Sequence, residues 1–486
     1  MIQGLARWLG YGVLALVVLA VLGVVYGALR IATYEQSEDP AGLERKLASL
    51  EAMAAAVDPS ATRPNIVIIF FDDLGYGDIG AFGNAALETP RMDRLASEGL
   101  ALDHFYAAAS YCTPSRAGLL TGRWPVRTTL THVVFPEGSL VDSGQRLFGL
   151  PVRLPADEIT LAEGLQLASY STAMVGKWHL GDASPSLPND LGFEHYYGLL
   201  HSNDMTPIPV YRNDEVVEAH PPDQTTLTDR YTDEAVAWLE AQKDGPFFLY
   251  FAHTFPHIPL YTSAEQSGKS DAGLYGDVIA DLDRSVGAVL DALERTGHAD
   301  DTLVIVTSDN GPWYQGSRGA IRGRKNTIFE GGPRVPFIVR WPGRIPEGAR
   351  SNEVVTALDI FPTALALAGV PVPQDRVIDG LDIRGTLFDG APTPADRPVY
   401  YWAASSLMGI RLGPWKAHRR HGITSGMAYG SVVLAAPKGP WLFDLARDGD
   451  ESFDVSARNP TTLGRLLRQM SAFDAEVSQN PRGWIE

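Results

Sequence analysis

The sequence has 486 residues, of which 45% are hydrophobic and 20% are charged, as is typical of a folded globular protein with a large buried core. Forty Lys and Arg residues stand against 58 Asp and Glu residues, a formal charge of -18, which argues against nonspecific binding to nucleic acid. An anionic substrate would therefore need a local basic pocket inside an acidic shell.

The amino-terminal segment is strongly apolar. No residue from Trp8 to Leu29 is charged, and this run reaches the roughly 20 residues that a helix needs to cross a bilayer. A cleaved signal peptide is the alternative, but its apolar region usually has only about 7–15 residues. Basic residues precede the run and acidic residues follow it, which favours export of the body of the protein. We expect residues 1–34 to be a membrane anchor, or a signal segment whose cleavage would release a secreted body.

The rest of the chain divides into three segments. Residues 35–63 form an Ala- and Glu-rich linker with a short predicted helix, and residues 64–397 alternate short apolar runs with amphipathic helical stretches. Such alternation predicts an α/β fold, with a large, mostly parallel sheet covered by helices on both faces. Residues 398–486 contain short strands and then one helix, which predicts a small antiparallel subdomain.

Polar side chains occur where the predicted strands end. In an open α/β sheet, ligands bind beyond the carboxyl ends of the strands, so these residues are expected to converge on one site. Each group also has an ordinary alternative, since Asp-Asp and Asp-Asn-Gly are common in turns and Lys or His is common at the surface. The polar residues after the runs "NIVIIFF", "TAMVG", "FFLYFA" and "TLVIVTS" are Asp72, Asp73, Lys177, His179, His253, His257, Asp309 and Asn310.

Three carboxylates and one amide oxygen stand out in this set. Asp72, Asp73, Asp309 and Asn310 offer the hard oxygen donors that Ca²⁺ or Mg²⁺ prefers, and no cluster of Cys and His suggests zinc. We therefore expect an oxygen-ligated divalent cation at the carboxyl ends of the strands.

The only cysteine, Cys112, lies at a predicted helix start. Pro114 suits a first helical turn, and Gly122 suits the end of the same helix. Cys112 would thus lie where backbone N–H groups favour an anion, with Arg116 one turn further along the same face. A thiolate nucleophile, a metal ligand, a modified residue and a small buried side chain all remain open on these grounds. With one cysteine, the chain has no internal disulfide.

Around this cysteine the sequence resembles a known family. "CTPSRAGLLTGR" resembles the sulfatase signature Cys-x-Pro-Ser-Arg followed by Leu-x-Thr-Gly-Arg, and "GKWHLG" resembles the second signature of that family. The resemblance continues through "PNIVIIFFDDLGYGDIG", "PHIPL", "VTSDNGP", "KNTIFEGG" and "LFDLARDGDESFDV", in the family's order. It covers the chain from about Arg63 onward and is closest to the arylsulfatase A-like group of the alkaline phosphatase superfamily.

This resemblance implies that a maturation enzyme converts Cys112 to formylglycine. The hydrated aldehyde would attack the sulfur of a sulfate ester with one oxygen, and its second hydroxyl would then expel sulfate. Because of the resemblance, Asp72, Asp73, Asp309 and Asn310, together with the modified Cys112, are the expected ligands of a divalent cation, with Ca²⁺ ahead of Mg²⁺.

The resemblance also assigns roles to the basic residues. Arg116 and Lys177 are expected to hold the anionic form of the formylglycine, and His179 to be the base that releases sulfate. His257, rather than His253, is expected to bind sulfate together with Lys325 and to assist the leaving oxygen. Taken alone, Lys325 would be assigned to the surface.

Two other functions compete with sulfate ester hydrolysis. A phosphodiesterase or phosphonate monoester hydrolase of the same superfamily could use the same nucleophile on phosphorus. A membrane-tethered protein that binds sulfated glycans without turnover is the alternative from a different class, but such a protein needs neither the cysteine nor the paired carboxylates.

Overall fold

The structure is a computed structural model, and it describes residues 2–423 and 434–485. Residues 424–433 belong to the predicted carboxyl-terminal subdomain and lie outside the described residues. The helices are α1 (Ile2–Ala32), α2 (Pro40–Ala55), α3 (Pro90–Ser97), α4 (Cys112–Thr121), α5 (Leu140–Phe148), α6 (Leu161–Gln166), α7 (Leu227–Ala241), α8 (Gly273–Thr296), α9 (Ile360–Ala368), α10 (Arg384–Asp389) and α11 (Pro460–Gln479).

The strands divide between one large sheet and smaller antiparallel ones. They are β1 (Asn65–Phe71), β2 (Leu100–Tyr106), β3 (Ser171–Lys177), β4 (His195–Leu199), β5 (Val210–Arg212), β6 (Glu215–Glu218), β7 (Phe247–Ala252), β8 (Thr302–Ser308), β9 (Phe337–Arg340), β10 (Ala349–Thr356), β11 (Pro398–Ala403), β12 (Ser406–Leu412), β13 (Trp415–His418), β14 (His421–Ile423), β15 (Leu434–Lys438) and β16 (Trp441–Asp444).

The large sheet confirms the predicted fold class. In the part of the chain that the structure describes, its ten strands run in the order β10-β2-β9-β8-β1-β7-β3-β4-β5-β6. The central strands β8, β1, β7, β3 and β4 are parallel neighbours. Because they are parallel, their carboxyl ends all lie at the same edge of the sheet. The sequence analysis did not predict β9, which runs antiparallel between β8 and β2.

Strand β1 explains why the sheet is covered on both faces. All seven of its residues are buried, and successive side chains of a strand point to opposite faces. Ile66, Ile68 and Phe70 pack with α4, α6 and α9 on one side. The alternate residues of β1 pack with α3, α7 and α8 on the other side. A continuously apolar run is therefore required here, as the sequence analysis inferred.

The carboxyl-terminal region forms the small antiparallel sheet that the sequence predicts. Strands β11, β12, β13 and β16 pair in that order, and α11 packs on them through Leu466, Met470 and Phe473. This sheet and its helix pack against Tyr106 and Trp124. Tyr106 precedes α4 in the sequence, and Trp124 follows it. The subdomain is thus packed close to the helix that carries the cysteine.

The amino-terminal region was predicted to anchor the protein in a membrane. It forms α1, but among the described residues no helix combines the length and hydropathy of a membrane span. Side chains at positions 9–10 and 12–15 of the apolar run lie outside those that are described.

Candidate active site

The carboxyl ends of four parallel strands bring the predicted polar residues together. Strands β1 and β8 pair in register up to Phe71 and Ser308, so the acidic residues that follow them are adjacent. Strands β7 and β3 complete the same edge, followed by the histidine loop and by the Lys177–His179 segment. The structure thus places Asp72, Asp73, Asp309, Asn310, Cys112, Arg116, Lys177, His179, His257 and Lys325 around one buried centre.

The acidic residues form a tight buried cluster. Asn310 Nδ2 donates to Asp73 Oδ1 over 2.7 Å, and the backbone N–H of Asp73 donates to Asp309 Oδ1 over 3.2 Å. Asp73 Oδ2 and Asn310 Oδ1 are buried and have no hydrogen-bond partner among the described residues. Asp73 also adopts a left-handed backbone conformation, with φ of 68°, which is a strained conformation of the kind that occurs at functional sites. Two oxygens therefore point inward without a protein donor.

The electrostatics of this cluster favour a cation. Burial, followed by the neighbouring Asp72 carboxylate, raises the pKa of Asp309 to about 7. Burial also opposes ionisation of Asp72, but the charges of Lys177 and His257 outweigh that effect and hold its pKa well below the ordinary value. A cation bound between these carboxylates would favour the ionised form of Asp309.

The residue types and their spacing fit a divalent cation. Candidate ligand atoms of Asp72, Asp73, Cys112 and His257 lie within 4.8 Å of one another, and all four residues are buried. Carboxylate oxygens are donors that Ca²⁺ and Mg²⁺ accept readily. The sequence analysis placed His257 with the sulfate-binding residues, whereas the structure brings its ring to the edge of the carboxylate cluster, with Nε2 3.9 Å from Asp73 Oδ2.

Cys112 is the first residue of α4, whose preceding residue Tyr111 is extended. Its Sγ lies 3.4 Å from Asp72 Oδ1 and 3.3 Å from the ammonium of Lys325. Burial and the Asp72 charge raise the pKa of the thiol, which favours the protonated form. This direction argues against the thiolate interpretation, because a reactive thiolate requires a lowered pKa.

Helix α4 is held in place at its far end by a glycine. Gly122 caps the helix with φ of 68°, and a side chain there would meet Phe361 at 2.9 Å. Glycine satisfies both requirements, since it has no Cβ and reaches the left-handed region without strain. The position of Cys112 at the other end of this ten-residue helix depends on this close contact.

Arg116 and Lys177 supply the basic side of the site. The guanidinium of Arg116 donates to Asp309 Oδ2 through Nε at 3.1 Å and Nη2 at 2.9 Å, and Nη1 donates to the carbonyl of Lys177 at 2.7 Å. The ammonium of Lys177 donates to Asp72 Oδ2 and, over 3.1 Å, to the hydroxyl of Ser202. Both basic side chains are fully buried. Together they form the basic pocket that the acidic composition required.

His179 has a defined tautomer. Its Nε2 lies 3.1 Å from the carbonyl oxygen of Val134, and a carbonyl can only accept, so this nitrogen carries the proton. The other nitrogen, Nδ1, is buried and has no protein partner in the described structure. Burial, together with the charge of Lys177, holds the pKa of His179 well below its ordinary value. The ring is thus a neutral imidazole that offers a lone pair.

The structure separates the two histidines of the segment after β7. His257 approaches the cluster, and its Nδ1 lies 3.1 Å from Asn203 Oδ1 and 3.5 Å from Ser202 Oγ. His253 instead stacks on Phe71 behind the site and contacts Ser285. His257 is therefore the histidine within reach of a substrate at the cluster.

Ser202 and Asn203 belong to the site, but the sequence analysis did not identify them. They follow β4, a short strand that the sequence analysis did not predict. The available signal was the polar "HSND" segment directly after the apolar "YYGLL" run, which is the same strand-end pattern that identified the other groups.

The loop that carries Lys325 is held from the carboxyl-terminal subdomain. Glu330 is buried and accepts from Tyr106 at 2.6 Å, Tyr401 at 2.9 Å and Lys416 at 3.0 Å. Burial opposes ionisation of Glu330, but Lys416 and nearby arginines outweigh it and lower its pKa. The subdomain thus fixes a residue five positions from Lys325.

Fold and site together define a hydrolase built on a metal-binding, mostly parallel α/β sheet. The Sulfatase family model matches residues 64–370, a range that contains Cys112 and the acidic cluster. The chain belongs to the sulfatase family and is a sulfuric ester hydrolase with an alkaline phosphatase-like fold, as its sequence motifs predict.

Similar proteins cover nearly the whole chain. N-acetylgalactosamine-6-sulfatase of Canis lupus familiaris is 37% identical over 463 residues, which are 87% of this chain and 88% of that protein. Arylsulfatase A of Homo sapiens is 36% identical over 483 residues, 90% of this chain and 92% of that protein. The crystal structure of Ps i-CgsB in complex with k-i-k-neocarrahexaose superposes with a TM-score of 0.75 at 28% identity, covering 87% of this chain and 95% of that chain.

Proposed function

We propose that this sulfatase uses residue 112, after conversion of Cys112 to formylglycine by a maturation enzyme, as the nucleophile toward sulfur. The supporting observation is the position of Cys112 between the Asp72 carboxylate at 3.4 Å and the Lys325 ammonium at 3.3 Å. An aldehyde hydrate there has one hydroxyl for attack on sulfur and a second for expulsion of sulfate.

The acidic cluster is proposed to hold a divalent cation, with Ca²⁺ ahead of Mg²⁺. Asp72, Asp73, Asp309 and Asn310 would hold it, next to residue 112. The inward oxygens of Asp73 and Asn310, buried without a protein partner, support this assignment. When bound, the cation polarises sulfate oxygens and offsets the charge of the carboxylates.

The basic residues are proposed to bind and orient the sulfate group. Lys177 presents a buried ammonium to Asp72, and Lys325 presents one 3.3 Å from Cys112 Sγ. Arg116 holds Asp309 and the carbonyl of Lys177 in place. Preorganised positive charge of this kind stabilises the charge that develops as the S–O bond breaks.

The two histidines are proposed to act at different steps of the reaction. His179, whose Nδ1 carries the lone pair, takes the proton from the second hydroxyl as sulfate leaves. His257, held by Asn203 and Ser202, assists the oxygen of the departing alcohol, where the ammonium of Lys325 offsets the negative charge that develops.

We further propose that the natural substrate is a carbohydrate sulfate. One relative is named for N-acetylgalactosamine 6-sulfate, and a similar solved structure holds a neocarrahexaose. An aryl sulfate has the same reacting group and would serve as an assay substrate.

Two measurements on protein from its native host test the proposed function. Mass spectrometry of the tryptic peptide from Leu95 to Arg116 should detect formylglycine at position 112, and 4-nitrophenyl sulfate should be turned over faster than 4-nitrophenyl phosphate. An unmodified thiol in a fully active preparation would overturn the formylglycine assignment. Preference for the phosphate ester would favour the phosphodiesterase alternative.

A further inference from the structure

A second histidine, His201, packs against the proposed base. The rings of His179 and His201 are 5.9 Å apart between centroids and nearly perpendicular, at 82°. His201 lies just beyond the end of β4, is only 3% exposed, and precedes Ser202, whose hydroxyl contacts Lys177. It is therefore adjacent to the sulfate-binding residues, although the mechanism above gives it no role.

The ring of His201 faces a carboxylate. Its Nε2 lies 3.0 Å from Asp182 Oδ2, although neither ring nitrogen makes a hydrogen bond with the described residues. The same Asp182 oxygen accepts from the backbone N–H of Glu137 at 2.7 Å, which fixes the carboxylate on the segment after Val134. Because an ionised carboxylate only accepts, this proximity favours the tautomer with the proton on Nε2 and the lone pair on Nδ1.

This lone pair has no protein donor. Nδ1 of His201 is buried and without a hydrogen-bond partner among the described residues, as is Nδ1 of His179. An acceptor left unpaired in a buried position is unfavourable, so two of them in neighbouring rings favour a ligand that donates hydrogen bonds. In the mechanism, His179 uses its lone pair on the hydrated formylglycine. The acceptor of His201 is not used in that mechanism.

We propose that His201 is a specificity-determining residue whose Nδ1 accepts a hydrogen bond from a hydroxyl of the substrate close to the sulfate ester. Asp182 holds the ring in the accepting tautomer. A sugar sulfate carries such neighbouring hydroxyls and an aryl sulfate does not, so the pair selects carbohydrate over aryl substrates. This inference rests on the proposed function and names the feature of the substrate that the site recognises.

A hydrogen bond to His201 would select sugar sulfates over aryl sulfates for a physical reason. A site built to bond a hydroxyl discriminates strongly against analogues that lack it, because the buried polar group is then left unpaired. If His201 only positioned the ring of His179, its replacement would reduce the turnover of every sulfate ester equally. The ratio of kcat/KM for a sugar sulfate to kcat/KM for an aryl sulfate therefore separates the two roles.

The experiment measures this ratio with galactose 6-sulfate and 4-nitrophenyl sulfate, using full-length matured protein. In His201→Phe, which keeps the ring volume, the ratio should fall by about 10- to 100-fold. Asp182→Asn should lower it in the same direction. His195→Phe is the matched control, since it removes another histidine paired with a carboxylate, Glu234 at 2.8 Å, at the opposite end of β4, and should leave the ratio unchanged.

The outcomes distinguish this inference from the proposed function. An unchanged ratio in His201→Phe would overturn the inference, whether both activities fall together or neither falls. Wild-type turnover of the aryl sulfate without turnover of the sugar sulfate would also overturn it, while the proposed function would stand. Failure of the matured wild-type protein to hydrolyse either ester would overturn the proposed function itself.

Discussion

The ammonium of Lys325 lies 2.6 Å from Asp73 Oδ1, although the two residues are 252 positions apart in the sequence. Burial lowers the pKa of Lys325, but the charge of Asp73 outweighs that effect and raises it well above the ordinary value. The lysine is therefore a permanent cation at the edge of the acidic cluster, 3.3 Å from Cys112 Sγ. It is placed to act on an anionic substrate rather than to exchange protons at neutral pH.

Replacing this lysine should impair the chemical step. Lys325→Met keeps the length of the side chain but removes the charge, and kcat for 4-nitrophenyl sulfate should fall by about 10²- to 10³-fold, the usual cost of losing one preorganised electrostatic contact. Steady-state kinetics at saturating substrate measure this. Lys269→Met, at an exposed lysine, is the control. A kcat within a factor of two of wild type would remove Lys325 from the mechanism.

Substitution of Cys112 separates attack on sulfur from release of sulfate. Cys112→Ala should abolish turnover, because alanine cannot be converted to formylglycine and offers no hydroxyl to attack sulfur. Cys112→Ser offers one hydroxyl but not the second, so the enzyme should become sulfated once and then stop. Intact-mass measurement after incubation with 4-nitrophenyl sulfate detects the trapped ester. Steady turnover by the serine variant would contradict the two-hydroxyl mechanism.

Removal of a bound cation should destabilise the fold. A ligand at about 100 times its Kd adds roughly 2.7 kcal/mol to the free energy of unfolding, so chelation should lower Tm and added Ca²⁺ should restore it. Asp73→Asn should make Tm insensitive to the chelator, whereas Asp271→Asn, at an exposed carboxylate, should respond like wild type. Equal responses of both variants would argue against a cation at the cluster.

The chelated protein should also show a distinctive dependence on pH. Asp309 in the fold has a pKa of about 7, above its ordinary value near 3.9, so the folded state holds this proton more tightly than the unfolded chain. The stabilisation is complete below about pH 4 and is lost as the pH rises through 7. Denaturant unfolding of wild type and Asp309→Asn across this range measures it. A pH dependence that is the same in both proteins would contradict the assignment.

The sequence predicted the strands that carry the site, for a physical reason. Strands such as β1 and β8 are buried on both faces, so every residue must be apolar and the run is easily recognised. Strand β4 has only five residues and β9 only four. Both depend on pairing with distant segments, so their own sequences give a weak signal. Ser202 was missed with β4, because a polar residue can be placed at a strand end only when the strand itself is recognised.

Support for the site from outside the sheet could not be predicted either. Lys416 contacts Glu330 across 86 positions, and His201 meets Asp182 through loops without a regular period. Such pairs depend on tertiary packing, which leaves no local pattern in either segment. The motifs identified the residues that are proposed to perform the chemistry, whereas only the structure identified the residues that hold them.

A buried arginine cluster behind α4 gives a final prediction about stability. Glu158 is fully buried, 2.7 Å from Arg123 and 2.8 Å from Arg482. Burial raises the pKa of Glu158, but the arginines, Arg123 first, outweigh this and lower it to about 2. The group therefore stabilises the fold above about pH 4.5, and this contribution is lost as the pH falls toward 2.

Glu158→Gln leaves the buried Arg123 without its counter-charge, although Arg482 keeps its pair with Asp157, and the free energy of unfolding at pH 7 should fall by about 3–5 kcal/mol. Urea denaturation measures this difference, which should narrow as the pH falls below about 4.5, because Glu158 of the unfolded wild-type chain then takes up a proton that the folded protein, with a pKa of about 2, does not. Glu240→Gln, in an exposed pair with Arg295, should cost at most about 1 kcal/mol. A deficit in Glu158→Gln that stays constant from pH 7 to pH 3 would mean that packing, and not charge, holds this cluster together.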